Sequence, residues 1–507
     1  MAVVAIARPS TELSVVAAHQ FALKWHIIGL LLLAAHVILT RQTVALFPLT
    51  LLAIGWLYAK APLAGVVVFF QFLIYQNWMI SLFVSGMDRE PTFILLQGTN
   101  FGALLLMGAI AWIRLYQSGW NRWVGTMLTI ITVALALIVI YTMVGAAKEG
   151  VTSASIYFRL AATLALGTLV GLDVGRVWGY RTIGIAFVIS AVLSMILAIV
   201  EVLAPEMYYD SSNVVQFMAL KTLNDPKYDA FWSAKDVIFH NTSQLFNITG
   251  NEFDLTQLRF NGSVMHPISY TYVLALVGIV AFSVRQSAWL LLAFPLMVAS
   301  GGKGGNLLFL CSMWLLLIWY ILRSRPLLLI CAGILMVGYI GFGLLRGIAG
   351  GDYHVLGFLG GIHGFISNPL GHGIGVGGNL SEGAKIGFKW QDYQHLGATD
   401  FALESAVGVL LYQMGIAAVA VFGVFFILLR QLPFGAPTSR GVVPVRTDLL
   451  FIVLAAVAIN GIFQEEAYSP YAAGLMSLFC GVLVANGRRP VEVLRPTQKL
   501  FTRTVHV

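Results

Sequence analysis

The chain has 507 residues; 59% of them are hydrophobic, only 10% are charged, and the mean hydropathy is +0.85. A water-soluble domain carries about 25% charged residues, so this composition excludes a soluble globular protein and predicts a membrane protein. The three cysteines lie within apolar runs, which predicts neither a disulfide framework nor a zinc site.

The apolar runs predict membrane-spanning helices along the whole chain. A bilayer core of about 30 Å requires about 20 apolar residues in helical form. This criterion predicts an all-α polytopic membrane protein with about 12–14 transmembrane helices. The ninth run is short and continues into Ser300-Gly-Gly-Lys-Gly-Gly305, which predicts a re-entrant or broken helix. The runs lie near residues 22–40, 43–59, 61–84, 92–117, 123–145, 153–172, 181–204, 265–284, 287–300, 305–322, 326–346, 404–429, 448–466 and 470–486.

The basic residues orient these helices. Arginine and lysine resist translocation, so the loops that carry them stay in the cytoplasm. With a cytoplasmic N-terminus, the loops on that side hold most of the basic residues, and most carboxylates fall on the other side. The net charge of +8 is therefore a topology signal and argues against nucleic-acid binding. The pattern predicts cytoplasmic termini, N-terminal helices (1–204), a first long outer loop (205–264), central helices (265–346), a second long outer loop (347–403), and C-terminal helices with a basic tail (404–507).

Ionisable residues inside or beside the predicted spans are costly in lipid, so they are candidates for function. Arg159 lies inside the sixth span and Glu201 near the end of the seventh, and Arg159 could simply pair with Glu201 or with a carbonyl. An interfacial position for Arg346 and a helix cap at His266 are the structural alternatives at those sites. As a set, the candidates predict a pocket for an anionic headgroup with a base close by. The others at the outer boundary are Arg259, Lys303, His354, Glu404 and Glu465-Glu466.

The second outer loop contains the glycine-rich stretch Asn368-Pro-Leu-Gly-His-Gly-Ile-Gly375, after a helical pattern over 355–367. Its glycines permit positive φ and a close approach of the backbone to a ligand. No strand precedes it and no Gly-Lys-Ser/Thr follows, which excludes Rossmann and P-loop nucleotide sites. The loop histidines lack metal-ligand spacing, so no metal is expected. In the first outer loop, Tyr208 and Tyr209 could stack on sugar rings or belong to an interfacial aromatic belt.

Four segments in this half of the chain carry a family resemblance. In order and on the same outer side, they resemble the O-antigen ligase and Wzy-type polysaccharide polymerase superfamily over roughly residues 200–430. The segments are Arg259-Phe-Asn-Gly-Ser-Val-Met-His-Pro267 (R-x-x-G…P), Ser300-Gly-Gly-Lys-Gly-Gly305 (where the family has Ser-Arg), Asn368-Pro-Leu-Gly-His-Gly-Ile-Gly375 (N-P-L-x-G-x-G), and Glu404-Ser-Ala-Val-Gly-Val-Leu-Leu-Tyr-Gln-Met-Gly-Ile416 (H/E-N/S-x-x-L…G-I).

The resemblance implies a GT-C-like fold in the bacterial inner membrane, with an active site at the outer leaflet. The donor would be an oligosaccharide linked to undecaprenyl pyrophosphate, so no nucleotide sugar, metal or other cofactor is expected. Arg259 would bind the pyrophosphate, supported by Lys303 and Arg346, because guanidinium groups bind phosphate oxygens bidentately. Lysine at 303 keeps the family's charge but loses the fork.

The acceptor hydroxyl needs a base, for which the resemblance implies Glu404, with His354 and His372 as alternatives. Ligases more often carry histidine at the position of Glu404, so the glutamate favours a polymerase of lipid-linked repeat units. The alternatives are a ligase that moves glycan onto another acceptor and a lipid-linked-oligosaccharide flippase or transporter. Transporters usually show internal repeats and midplane charges, whereas this sequence shows no repeat and most of its polar candidates lie at the outer boundary. Besides the lipid-linked glycan and membrane lipid, a chain-length regulator or export machinery remains open as a partner.

Overall fold

The computed structural model describes residues 12–85, 87, 90–118, 122–222, 233–244, 256–350, 352–378, 404–432 and 447–487. Within these ranges the chain forms twenty α-helices and one two-stranded antiparallel sheet, in which Thr242 pairs with Leu258. The helices of the first half are α1 (Val15–Gln42), α2 (Phe47–Lys60), α3 (Pro62–Leu82), α4 (Glu90–Gln97), α5 (Thr99–Gln117), α6 (Arg122–Glu149), α7 (Val151–Gly175) and α8 (Tyr180–Leu203).

The first predicted outer loop contains three short helices and the sheet. These are α9 (Pro205–Ser211), α10 (Val214–Thr222), α11 (Ala234–His240), β1 (Thr242–Gln244) and β2 (Thr256–Leu258). The remaining helices are α12 (Pro267–Ser283), α13 (Ala288–Ala299), α14 (Lys303–Leu322), α15 (Arg325–Gly350), α16 (Tyr353–Ser367), α17 (Ala406–Met414), α18 (Ala418–Gln431), α19 (Thr447–Asn460) and α20 (Leu475–Gly487). A 3₁₀ turn (Glu465–Tyr468) and a π turn (Pro470–Gly474) lead into α20.

Ten helical segments of the described chain are long and apolar enough to cross a membrane, which agrees with the prediction of a predominantly helical, multi-pass membrane protein. The other four predicted spans form shorter apolar helices: α2, α12, α13 and α19. The ninth span, predicted to be re-entrant or broken, is a short helix: α13 has 12 residues, contains Pro295 and ends before Gly301 at φ 66°. A helix of that length covers only about 18 Å, which is shorter than the bilayer core.

Helix starts follow the local sequence. Proline occupies the first turn of α3, α9 and α12, where its missing N–H costs no hydrogen bond. Side chains cap three other helices: Ser14 accepts from the Ala17 N–H, Asp352 from His354 and Ser405 from Gly408. The last two caps fix the chain directions beside His354 and Glu404.

Helices α7 and α20 pack against each other at very short range. Gly167, Gly171 and Gly175 form a stripe along α7, and a Cβ at any of them would overlap the π turn or α20. Small residues spaced by four let helix backbones approach closely in a membrane, where dispersion rather than the hydrophobic effect drives packing. This contact fixes the N-terminal half of α7, with Tyr157 and Arg159, relative to the turn that holds Glu465 and Glu466.

The span predicted at 404–429 is divided into α17 and α18 at Gly415. The backbone of 369–371 inserts at this point, and the Ile416 N–H donates to the Pro369 carbonyl over 2.9 Å. Gly415 has φ 54°, and a Cβ there would overlap the Pro369 carbonyl, so the break requires glycine. Hydropathy cannot detect this break, because both halves are apolar.

Candidate functional site

The segment between β2 and α12 carries the R-x-x-G…P residues and places them at one end of the helical bundle. Gly262 has φ 54°, and the Tyr270 ring lies where a side chain at 262 would be. His266 caps α12, as the structural alternative predicted, with its Nδ1 3.3 Å from the Ser269 N–H, and Pro267 opens the helix. The conformation of this segment therefore explains why the pattern needs glycine and proline at these two positions.

Three cations from separate elements surround His266. Arg159 comes from α7, Lys221 from α10 and Arg259 from the end of β2, and the positive charge of each acts on the imidazole. Burial first, and then these charges, lower the pKa of His266 to about 3, so its ring is neutral at physiological pH. We call Arg159, Lys221 and Arg259 the cationic cluster. Three like charges held together in this way fit a polyanionic ligand.

The Lys221 side chain is exposed to solvent, although protein atoms lie around its ammonium group. Desolvation by that protein lowers the pKa of Lys221 to about 8; Glu466 opposes the effect and Arg159 adds to it. Its ammonium group also donates to the Met265 carbonyl over 3.4 Å. Lys221 is thus tied to the segment that carries Arg259.

A hydrogen-bonded chain connects the cationic cluster to the turn before α20. Ser269 Oγ lies 2.8 Å from His266 Nδ1 and donates to Glu466 Oε2 over 3.1 Å. The charge of Glu466 also acts on Lys221, so this carboxylate partly balances the cluster. The three cations of the cluster outnumber this one carboxylate, and such an arrangement is suited to an anion site.

Glu404 and His354 form a second group at the same end of the bundle. His354 Nδ1 lies 3.4 Å from both Oε2 and the carbonyl oxygen of Glu404. The carbonyl can only accept, so Nδ1 carries the proton and the accepting nitrogen of the neutral ring is Nε2. Burial lowers the pKa of His354; the nearby charge of Lys303 adds to this, and Asp352 and the Glu404 carbonyl oppose it. A neutral imidazole oriented by a carboxylate is suited to accept a proton.

Glu465 lies between the two groups. Its carboxylate is hydrogen-bonded to Tyr157, and the charges of Glu404 and Glu466 both act on it. One of its oxygens, Oε1, is buried and has no hydrogen-bond partner among the residues that the structure describes. Glu465 also lines a mostly apolar cleft between α7, α17 and α18. The adjacent glutamates 465 and 466 thus join the Glu404–His354 pair to the cationic cluster.

Two predicted site residues lie apart from these groups. His372 stacks on Tyr412 with ring centroids 4.2 Å apart, near the end of α17 opposite to Glu404. The backbone N–H of His372 donates to the Tyr412 carbonyl, and the backbone carbonyl of His372 accepts from Lys148 Nζ. Arg346 is exposed in the last turns of α15. Among the described residues, no hydrogen bond or ion pair joins Arg346 to the cationic cluster.

The glycine-rich stretch approaches the protein's own backbone, which corrects the expectation that its close approach serves a ligand. Gly373 and Gly375 have φ 108° and 104°, and a Cβ at either would overlap the backbone of Gly145 or Ala154. The Ile374 N–H donates to the Tyr141 carbonyl over 2.8 Å. Glycine is needed here because the segment ties the α6–α7 corner to α17.

Other sequence expectations also change. Tyr208 and Tyr209 are buried, and their hydroxyls donate to the Gly262 carbonyl and to Glu201, so sugar stacking is wrong for both. Glu201 accepts hydrogen bonds from the backbone N–H groups of Asn261 and Gly262 rather than from Arg159. Sequence reasoning missed Lys221 entirely. It is one of several lysines in a long polar loop, and only its position in space sets it apart.

Among the described residues, no group of three or more His, Cys, Asp or Glu side chains is placed to hold a metal ion. Comparison of the chain with protein-family models, with curated proteins and with solved structures gives no match. The candidate site therefore rests on its geometry alone.

Proposed function

We propose that this protein is a membrane glycosyltransferase that polymerises oligosaccharide repeat units carried on undecaprenyl pyrophosphate, for a surface or secreted polysaccharide. The observation that supports this most is the convergence of Arg159, Lys221 and Arg259 around a neutral histidine, next to a carboxylate–imidazole pair. A pyrophosphate leaving group needs cations, and an attacking hydroxyl needs a proton acceptor. Both requirements meet at one end of the same helical bundle.

The proposed reaction uses the two groups as follows. The acceptor hydroxyl attacks the anomeric carbon of the donor sugar, and the bond from that carbon to the pyrophosphate oxygen breaks. The hydroxyl proton passes to His354 Nε2, which Glu404 orients through Nδ1. The departing undecaprenyl pyrophosphate keeps the bonding electron pair, and the cationic cluster stabilises the charge that develops. The cluster thus replaces the charge stabilisation that a metal provides in other transferases.

Within this proposal, Lys303 and Arg346 have different positions. Lys303 begins α14 and acts electrostatically on His354, so it belongs to the acceptor side rather than to the cationic cluster. Arg346 is exposed, and no hydrogen bond or ion pair among the described residues joins it to the cationic cluster. We therefore assign pyrophosphate binding to Arg259 with Arg159 and Lys221, in place of Lys303 and Arg346. Glutamate at position 404 continues to favour polymerisation over ligation.

The test uses purified protein in nanodiscs with lipid-linked repeat units extracted from cells that lack this protein. A ladder of products that differ by one repeat, formed without nucleotide sugar, supports a polymerase. Transfer of one block to a different acceptor would instead identify a ligase. Movement of the lipid across the bilayer without new glycosidic bonds would identify a flippase.

Two variants and a matched control test the site. Arg259→Gln should lower the polymerisation rate by about 10²–10³, the usual loss for one oxyanion stabiliser. Arg430→Gln removes an exposed arginine from the last turn of α18 and should leave the rate unchanged. Unchanged activity in Arg259→Gln and in Lys221→Met would refute the site even if the ladder forms.

A further inference from the structure

The segment that carries Arg259 into the site is held by side chains from four helices. The Ser263 hydroxyl donates to the Ile74 carbonyl over 2.8 Å and meets Ser194 Oγ at 2.6 Å. Asn77 donates to the Val264 carbonyl over 2.9 Å. The Gly262 and Met265 carbonyls accept from Tyr208 and Lys221 respectively. The position of this segment is therefore set by tertiary contacts rather than by helix or sheet pairing.

Glu201 contributes the charged part of this support. Its carboxylate is fully buried at the end of α8 and accepts from two consecutive backbone N–H groups, those of Asn261 at 2.8 Å and Gly262 at 2.7 Å. It also accepts from the Tyr209 hydroxyl at 2.7 Å and from Asn261 Nδ2 at 3.3 Å. Four donor groups therefore converge on the two oxygens of this one side chain, and two of them belong to the backbone of the segment.

We infer that Glu201 is a positioning residue for the anion site: it fixes the backbone two residues after Arg259 and so aims the guanidinium at the pyrophosphate. Arg259 is anchored on its other side, where its N–H donates to the Asn241 carbonyl over 2.7 Å. A glutamine at 201 would turn an amide N–H₂ toward backbone N–H donors, because one of its two terminal atoms can no longer accept. The segment would then shift, and Arg259 with it.

This inference rests on the proposed pyrophosphate site, but its test does not require turnover. The probe is inorganic pyrophosphate, and the measurement is its affinity for purified protein by isothermal titration calorimetry. Glu201→Gln should weaken binding roughly 10- to 100-fold, as expected when a group that orients a ligand-binding residue is lost. In the Arg259→Gln background the same change should have less than about a threefold effect. Equal losses in both backgrounds would overturn the inference, because a general structural defect does not depend on Arg259.

A second, milder variant keeps the inference testable if Glu201→Gln does not fold. Tyr208→Phe removes only the hydroxyl that donates to the Gly262 carbonyl, and it should weaken pyrophosphate binding about threefold, again only when Arg259 is present. The control is Glu206→Gln, an exposed carboxylate in the first turn of α9, which should bind as the wild type does.

The outcomes separate this inference from the proposed function. Wild-type protein that binds pyrophosphate through Arg259 but forms no ladder would refute the polymerase and leave the role of Glu201 supported. Arg259→Gln that binds pyrophosphate normally would overturn both the site and the role of Glu201. A ladder-forming enzyme in which Glu201→Gln binds normally would overturn the positioning role alone.

Discussion

Gly262→Ala tests whether the conformation of the segment before α12 is as tightly specified as its contacts indicate. Alanine at φ 54° adopts a left-handed backbone, which costs about 1–2 kcal/mol relative to glycine. The new Cβ would also lie 2.5 Å from Cζ and 2.6 Å from Cε1 of Tyr270. That ring cannot swing away, because it is fully buried and its hydroxyl donates to the Ser194 carbonyl over 2.9 Å.

Forcing a methyl group into such a position costs about 1–3 kcal/mol. Together with the backbone term, we expect Gly262→Ala to lose about 2–5 kcal/mol of the free energy of unfolding. The assay is thermal unfolding in detergent, followed by circular dichroism, where the midpoint should fall by about 2–5 °C for a chain of this size. Pyrophosphate affinity should fall as well, because the same segment carries Arg259.

Two further variants make the reasoning refutable. In a Tyr270→Leu background the ring atoms are absent, so Gly262→Ala should cost only the backbone term, about 1–2 kcal/mol. Gly333→Ala serves as the control: it lies within α15 with no atom within 4 Å of a new Cβ, and should stabilise by about 0.5–1 kcal/mol. If Gly262→Ala unfolds at the wild-type temperature, the proposed packing of Gly262 on Tyr270 is wrong.

Three other predictions concern charge. Lys221, whose pKa the surrounding protein lowers to about 8, loses its charge as the pH rises; pyrophosphate affinity measured by calorimetry should fall about three- to tenfold between pH 7 and 9, and Lys221→Arg should remove most of that fall. The pKa of His266 is lowered from 6.5 to about 3, mainly by burial. Between these values the unfolded chain binds a proton that the folded chain does not, so stability falls as the pH drops; the loss should be about 2 kcal/mol from pH 6 to pH 4, and the melting curves of His266→Gln should lack it. Glu404→Gln removes the carboxylate that faces His354 and should lower turnover about 10²–10⁴-fold with pyrophosphate affinity unchanged, whereas an equal loss of both would place Glu404 in the anion site.

Much of the site could be predicted from the sequence because charge in an apolar chain is informative. Several ionisable groups stand out inside or beside the predicted spans, and the structure gives each of them a polar environment at one end of the bundle: Arg159, Glu201, Arg259, His266 and Glu466. The sequence could not show which of these groups interact with one another. The positions of Arg159 and Glu201 in neighbouring spans suggest an ion pair. In the structure, Glu201 binds the backbone of residues 261–262, and the charge of Arg159 acts on His266.

The glycine-rich stretch shows what a local sequence pattern cannot specify. Its glycines indicate positive φ and close approach, and both are present at Gly373 and Gly375. What they approach is a matter of long-range packing, and here it is the α6–α7 corner. His372 is a second example, because it stacks on Tyr412 and therefore lies away from Glu404. A local pattern specifies the backbone conformation but not the neighbour that makes the conformation necessary.

The sequence by itself determined that lipid is the solvent, where most of the helices run, and that the glycine and proline of the R-x-x-G…P segment are backbone requirements. These follow from local properties: the apolar length of a run, the missing N–H of proline and the φ range of glycine. Only the tertiary structure decided that Lys221 joins Arg159 and Arg259, and that Glu201 holds the segment that follows Arg259. These residues are separated by up to 100 positions in the chain, and their convergence depends on the packing of α7, α8 and α10 around one end of the bundle.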